Sequence, residues 1–242
     1  MNQKDDDFSI ALRRIEERFI GDDGIAVRAD LARIRAAGID SVDTLESIIK
    51  NGDTPQETRL AGCWLLARLM PPSAPATFFT LFSSPIPELR AAGTRYFAEV
   101  KGSGHDEEII QLLRTDQDRE VRFAAAYALG LIGRDPAISS ILEAAQDTRE
   151  ETRVRGAAIE ALADIRNPRV IQDLIPLLKD PASEVRFWTI FTLGQLGDAS
   201  IIADLEHLRD TDEAVVPGWR SIREECDEAI RNIHERSNST AF

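Results

Sequence analysis

The sequence predicts an all-α fold, an α-α superhelix (α-solenoid) of about seven helical hairpins. Three observations predict it. The string Glu120-Val121-Arg122-Phe123-Ala124-Ala125-Ala126-Tyr127-Ala128-Leu129-Gly130-Leu131-Ile132-Gly133 returns, in pattern, from Glu184-Val185-Arg186 to Leu193-Gly194-Gln195-Leu196-Gly197. Weaker copies run through Arg59, Arg90 and Arg155. Each copy carries apolar residues seven and ten positions after its arginine: Leu66/Leu69, Phe97/Val100, Leu129/Ile132, Leu162/Ile165 and Leu193/Leu196. That spacing is one helical stripe, and no segment alternates as a strand would.

A second marker sets the phase. An acidic residue stands six positions before an arginine in Asp22/Arg28, Asp53/Arg59, Asp116/Arg122 and Asp180/Arg186, and Ser84 holds that place before Arg90. Asp147 marks one further unit, whose stripe counts from Arg155, so its turn reads as two residues longer. The first helices then fall near Phe8–Phe19, Val42–Ile49, Ala74–Phe82, Asp106–Leu113, Ala137–Ala145, Val170–Leu178 and Ser200–Leu208. The second helices fall near Ile25–Ala37, Gln56–Leu69, Glu88–Val100, Arg119–Ile132, Glu151–Ile165, Ser183–Leu196 and Trp219–His234. Pro55, Pro87, Pro136, Pro168 and Pro181 suit helix starts, where a missing N–H costs nothing. Gly102, Gly133 and Gly197 suit left-handed caps past helix ends. The 242 residues therefore read as a single array with units near 7–38, 39–70, 71–101, 102–133, 134–166, 167–197 and 198–236, then a disordered tail at 237–242.

The Asp-x5-Arg spacing and the Val-Arg-x-x-Ala-x-x-x-Leu-Gly-x-Ile-Gly string resemble HEAT repeats, and most of all the short HEAT-like type of phycobilin lyases. The pattern departs at the ends: Arg35 stands where Leu is expected, and the last helix counts best from Arg223. Terminal units face water on one side, so they differ from internal ones. The resemblance implies a hydrogen-bonded ladder along the turns, built from Asp22, Asp53, Asp116, Asp147 and Asp180 with Arg28, Arg59, Arg90, Arg122, Arg155 and Arg186. A planar guanidinium satisfies an aspartate and nearby carbonyls together, which makes the ladder structural.

Charge bounds the partners. Asp and Glu number 42 against 29 Lys and Arg, a formal net charge of −13. Polyanion binders need Lys and Arg to neutralise phosphates, so neither nucleic acid nor an anionic membrane surface is expected. The start, Met1 to Asp7, lacks the basic and apolar regions of a signal peptide. No apolar run approaches the ~20 residues of a membrane span. With two distant cysteines, Cys63 and Cys226, a reducing compartment and a cytoplasmic location are expected.

No catalytic constellation stands out. His105, His207 and His234 share no metal-ligand spacing. His105-Asp106 and His234-Glu235 resemble the His-Glu pairs of deoxyhypusine hydroxylase, but that family needs several at repeat-related positions, so no metal and no cofactor are expected. The groove is the functional candidate. On each second helix the stripe opposite the core takes positions two, five and nine after the arginine, giving Trp64, Arg68, Arg95, Tyr127, Trp188 and Phe191 as groove residues. Trp188 and Phe191 are expected to be the most exposed, while Phe78, Phe79 and Phe82 are expected in the core. Aromatics and arginine dominate binding hot spots. Aromatics in such an array also pack between adjacent repeats, so both readings stand. The reading is a non-enzymatic scaffold or adaptor that binds a partner protein. The alternatives are a bilin lyase-like or chaperone activity on a phycobiliprotein and, third, a HEAT-like alkyl-DNA glycosylase, which the acidic charge disfavours.

Overall fold

The computed structural model describes Phe8, Ile10 and residues 24–239. The fold is an all-α solenoid of hairpins, and the chain divides into two compact units, Met1–His105 and Asp106–Phe242. Most of the first expected helix, together with Asp22, lies outside the described residues.

In the first unit, α1 (Gly24–Ala36), α3 (Gln56–Leu69) and α5 (Pro87–Glu99) are second helices. They alternate with the first helices α2 (Val42–Lys50) and α4 (Ala74–Phe79), the latter continued by a 3-10 turn at Thr80–Ser83. Neighbouring second helices pack on one another, α1 on α3 and α3 on α5, and α3 and α5 each also pack on their own first helices, α2 and α4. The second unit repeats this with α6 (Asp106–Thr115) and α7 (Arg119–Ile132), α8 (Ile138–Gln146) and α9 (Thr152–Ile165), α10 (Ile171–Leu174) and α11 (Ser183–Leu196), and α12 (Ile202–Thr211) and α13 (Ile222–Ser239). There α7, α9, α11 and α13 form one layer. The last helix begins after Trp219, which lies in the preceding turn, and it runs through residues 237–239, part of the expected tail.

The repeat's apolar stripe divides by depth. The residue seven after the arginine is the central core: Leu66, Phe97, Leu129, Leu162 and Leu193 are all at most 1% exposed. The residue ten after it closes the helix end and is half-buried, except Val100, which is buried. Phe78 and Phe82 are core, while Phe79 is half-buried and stacks on His105 with ring centroids 3.6 Å apart.

Turn chemistry sets the true phase. Backbone N–H groups donate to the side chains of Ser84, Asp116, Asp147, Asp180 and Asp212 two residues earlier, a local turn motif of Asx and Ser side chains. In the turn before α3 the acceptor is Asn51, whose Oδ1 takes the Asp53 N–H, so Asp53 is not the marker and stands exposed. Sequence alone favours Asp53 because it stands six positions before Arg59, yet the neutral amide oxygen of Asn51, eight positions before, accepts the turn bond. The turns from Asn51 to Arg59 and from Asp147 to Arg155 are thus both two residues longer than the others. Both arginines accordingly reach further back: Arg59 Nε donates to Ile49 O at 2.8 Å and Arg155 Nε to Ala145 O at 2.9 Å. Arg90, Arg122 and Arg186 instead donate to the carbonyls of Ser84, Asp116 and Asp180, six residues back.

Helix ends depart from the glycine expectation. Gly133 is left-handed, with φ 66°. Gly38, after α1, is left-handed too, with φ 71°, but Met70, Lys101 and Arg166 take that conformation at other helix ends, with Lys101 in place of Gly102, and Gly197 has φ −73°. At Gly197 the side chain is excluded by space, since a Cβ would meet the Leu193 carbonyl oxygen at 2.6 Å. Arg236 of α13 donates to the Gly194 and Gly197 carbonyls, both at 2.7 Å, and so caps the end of α11.

Candidate functional site

In the second unit the turn arginines join successive turns as well as closing their own. Arg122 grips Glu150 with Nε and Nη2 at 2.6 and 2.7 Å. That bidentate hydrogen bond, against the cost of burial, raises the Arg122 pKa. The acidic partner is Glu150 because the Asp147 carboxylate is taken by the exposed Arg149. Arg155 pairs with the Asp180 carboxylate, both side chains 4% exposed. Arg186 donates to Asp212 at 2.7 Å. Burial alone would raise the Asp212 carboxyl, but the Arg186 bond and the Ala214 N–H hold it below the usual range. Asp180 thus accepts Arg155 through its carboxylate and Arg186 through its carbonyl, and with the Arg186–Asp212 pair this links three turns. In the first unit Arg59 is buried and Arg28 is exposed, and Ser84 offers Arg90 a backbone oxygen. These contacts hold the turns in register.

The second-helix positions separate into buried and open ones. Two residues after the arginine, Ala61, Ala124, Ala157 and Trp188 are buried. Five and nine residues after it, Trp64/Arg68, Arg95/Glu99, Tyr127/Leu131, Glu160/Asp164 and Phe191/Gln195 are half-buried or exposed. The expectation that Trp188 is exposed is therefore corrected: it is 7% exposed. The cause is the neighbouring second helix. Gly156 of α9 leaves room for the indole, and a Cβ there would lie 2.7 Å from Trp188 Cδ1. Trp188 also meets Trp219 and Phe191 edge-on, with centroids 4.9 and 5.6 Å apart. Phe191 is half-buried on the rim of this cluster, and Trp219 is 56% exposed.

In the first unit Trp64, Arg68 and Arg95 do come together. The Arg68 guanidinium lies 5.6 Å from the Trp64 ring centroid. Arg68 and Arg95 both reach Glu99, at 3.4 and 3.0 Å. In the second unit the stripe is set by two close approaches. Gly130 lets α7 onto α9, since a Cβ there would sit 2.9 Å from Ala161 Cα and 3.3 Å from Asp164 Oδ2. Thr192 Oγ1 donates to Ile159 O at 3.0 Å and fixes α11 on α9. Two rows result, Tyr127–Glu160–Phe191 and Leu131–Asp164–Gln195. Leu131 is 45% exposed. Desolvation, then the charge of Asp164, raises the Glu160 carboxyl above its usual range. Desolvation also raises Asp164, against the opposing charge of Arg166. Sequence reasoning missed the place of Trp219 in the Trp188 cluster and the Phe123 ring, 4.2 Å beneath the Arg153 guanidinium. Phe123 lies one residue after Arg122, so the stripe taken at two, five and nine passes it by.

Both thiols are buried, and burial pushes Cys63 and Cys226 up to about 12, so they are protonated. Among the described residues no group of three or more His, Cys, Asp or Glu gathers to hold a metal, and no helix is long and apolar enough to cross a membrane.

A family model for HEAT repeats matches residues 42–153, 107–170 and 148–219. No curated protein matches the chain. Among solved structures, a chain of the complex of CpcE and CpcF of phycocyanin lyase from Nostoc is similar at TM-score 0.57 and 18% identity, over 70% of each chain. The complex of Kap95p with RanGDP contains a chain similar at TM-score 0.63 and 15% identity, over all of this chain and 34% of that one. An engineered protein is similar at TM-score 0.52 and 23% identity, over 79% of this chain and 96% of that one. Likeness at these identities concerns the fold.

Proposed function

We propose that this chain, which belongs to the HEAT-repeat family, is a non-enzymatic scaffold that holds a partner protein on the open stripe of its second helices. The observation that carries the reading is the pair of rows Tyr127–Glu160–Phe191 and Leu131–Asp164–Gln195. Tyr127 and Leu131 of α7 and Phe191 of α11 stand at the positions matched by Glu160 and Asp164 of α9, so large apolar side chains flank a carboxylate pair on an open face, where a solvated surface has no need of them. Ion pairs and carbonyl bonds occupy the turn arginines in structural work, so the recurrent chemistry left for a ligand is on this stripe. Neighbours of the same fold are described in complexes, CpcE with CpcF and Kap95p with RanGDP, which supports a protein partner. We place the repeats in one array, as the spacing of the turns from Asn51 to Asp212 suggests, and the chain in a reducing cytoplasm, which suits two buried, protonated thiols.

A photo-crosslinking residue at Leu131 or Gln195, compared with one at the exposed Lys179, tests the reading. A discrete adduct in the native host from the two stripe positions and none from Lys179 is expected. Equal adducts from all three, or none, overturn it. The second reading is a bilin lyase-like or chaperone role, supported by the likeness to phycocyanin lyase at the level of fold. Mixing the chain with bilin and an apo-phycobiliprotein tests it, and finding neither adduct nor bilin binding removes it.

A further inference from the structure

The two rows of the second unit carry a charge pattern that specifies the partner's chemistry, an inference that rests on the scaffold reading. At the flanks of this layer, charge is already matched within the chain: Arg153 pairs with Glu120 at 3.0 Å and Arg119 with Glu151 at 3.4 Å. Arg134 pairs with Asp106 at 2.8 Å. At the centre it is not. Glu160, half-buried, and Asp164, exposed, stand one helical turn apart on α9, desolvation raises both carboxyls, and neither forms a salt bridge among the described residues. On either side stand Tyr127 and Leu131 of α7 and Phe191 of α11, held against α9 by the Gly130 approach and the Thr192 bond.

Any partner that covers this face removes more water from the two carboxylates. Desolvating an unpaired carboxylate is costly, and the cost is offset when a cation arrives with the partner. An acidic partner adds repulsion. A neutral apolar partner buries Leu131 and Phe191 well but leaves two buried charges unpaired. Aromatic rings beside carboxylates favour a cation on a side chain that also has an apolar stem, because such a cation is attracted to ring faces and its methylenes pack on them. We propose that the α7–α9–α11 face seats an amphipathic segment of a partner protein whose arginine or lysine side chain enters between Tyr127 and Phe191 to meet Glu160 and Asp164.

The test uses the full chain and a short fluorescein-labelled amphipathic helix of Leu, Ser and Gln with one central Arg, alongside the same peptide with Gln or Glu at that position. Fluorescence anisotropy reads the affinity. The wild-type chain is expected to bind the Arg peptide roughly tenfold more tightly than the Gln peptide, and the Glu peptide most weakly. The doubly substituted chain, E160Q with D164N, is expected to bind the Arg and Gln peptides alike, with a cooperative melt no lower than that of wild type as the folding control. The charge-reversed E160K chain is expected to prefer the Glu peptide. Equal binding of Arg and Gln peptides by wild type overturns the proposal, as does a preference that survives in the double variant. Absence of binding by any peptide, while the crosslinker at Leu131 still captures a partner, overturns this inference and leaves the scaffold reading standing. Absence of both overturns both.

Discussion

In Met1–His105 the open positions of α3 and α5 bring Arg68 and Arg95 onto one carboxylate, Glu99, beside the Trp64 ring. In Asp106–Phe242 the matching positions of α9 are Glu160 and Asp164, between apolar side chains of α7 and α11. The same hairpin thus carries a charge cluster that is mostly settled within the chain in one unit and unsettled in the other. The turns differ as well. Ser84 gives the first unit a neutral acceptor, whereas Glu150, Asp180 and Asp212 give the second unit three successive ionic links. The lesson is that repeat geometry and repeat electrostatics vary independently. Helix placement follows the stripe seven residues after the arginine, and charge follows whatever occupies positions that the stripe leaves open.

Substitutions break or sharpen this comparison, and the largest effect belongs to the buried ion pair. Arg155→Ala leaves the Asp180 carboxylate buried without its guanidinium and is expected to cost about 3–5 kcal/mol. Arg59→Ala, its counterpart in the first unit, loses a bond to a neutral carbonyl and is expected to cost about 1–3 kcal/mol. Urea unfolding of the two variants measures the difference, and equal losses would remove the contrast between the turns. Trp188→Ala empties part of a packed cluster and is expected to cost about 3–5 kcal/mol, so it is a stability variant rather than a probe of binding. Gly156→Ala pushes a methyl against the same indole and is expected to cost about 1–3 kcal/mol, with a change in tryptophan near-ultraviolet dichroism. Arg122→Ala breaks a part-exposed bidentate pair and is expected to cost about 2 kcal/mol in the same unfolding assay, which an unchanged melting temperature would refute.

The smallest effect has a defined pH dependence. Glu160 and Asp164 both titrate above their ordinary values in the fold. The folded state therefore favours their protonated forms, and the stability tied to them is complete below the unfolded pKa near ~4 and lost as pH rises through the folded values. Replacing them by E160Q and D164N is expected to stabilise the chain at neutral pH by no more than about 1 kcal/mol, because water screens both groups. The gain is expected to vanish below about pH 4. Thermal melts of the two chains across that range check it, and a gain that persists in acid would contradict the desolvated placement of the pair.

The hairpins were legible because their signal is redundant. Five second helices, α3, α5, α7, α9 and α11, place an apolar residue seven positions after an arginine, and those five residues, from Leu66 to Leu193, are buried in the core. Helix spans such as Gln56–Leu69 and Arg119–Ile132 follow from the sequence pattern to the residue. The ladder was legible in its arginines but not in its partners. Asn51 replaces Asp53 and Glu150 stands in for Asp147, because an Asx turn asks for a side-chain oxygen while an ion pair asks for a carboxylate within reach. The first need is local and the second is not.

The groove residues divide in the same way. Position on the helix by itself determines that Trp64, Arg68, Arg95, Tyr127 and Phe191 avoid the first-helix core, since five and nine residues past the arginine lie opposite the apolar stripe. Tertiary structure alone decides the fate of Trp188, because a flank two residues past the arginine is open or closed according to the adjacent second helix. Here Gly156 and Trp219, distant in sequence, close it. The sequence thus determined the repeat, its helices and the sign of the whole chain's charge. The packing of α9 between α7 and α11 decided which aromatic is buried and which two carboxylates are partly desolvated without an ion pair, since desolvation depends on neighbours in space and not on spacing along the chain.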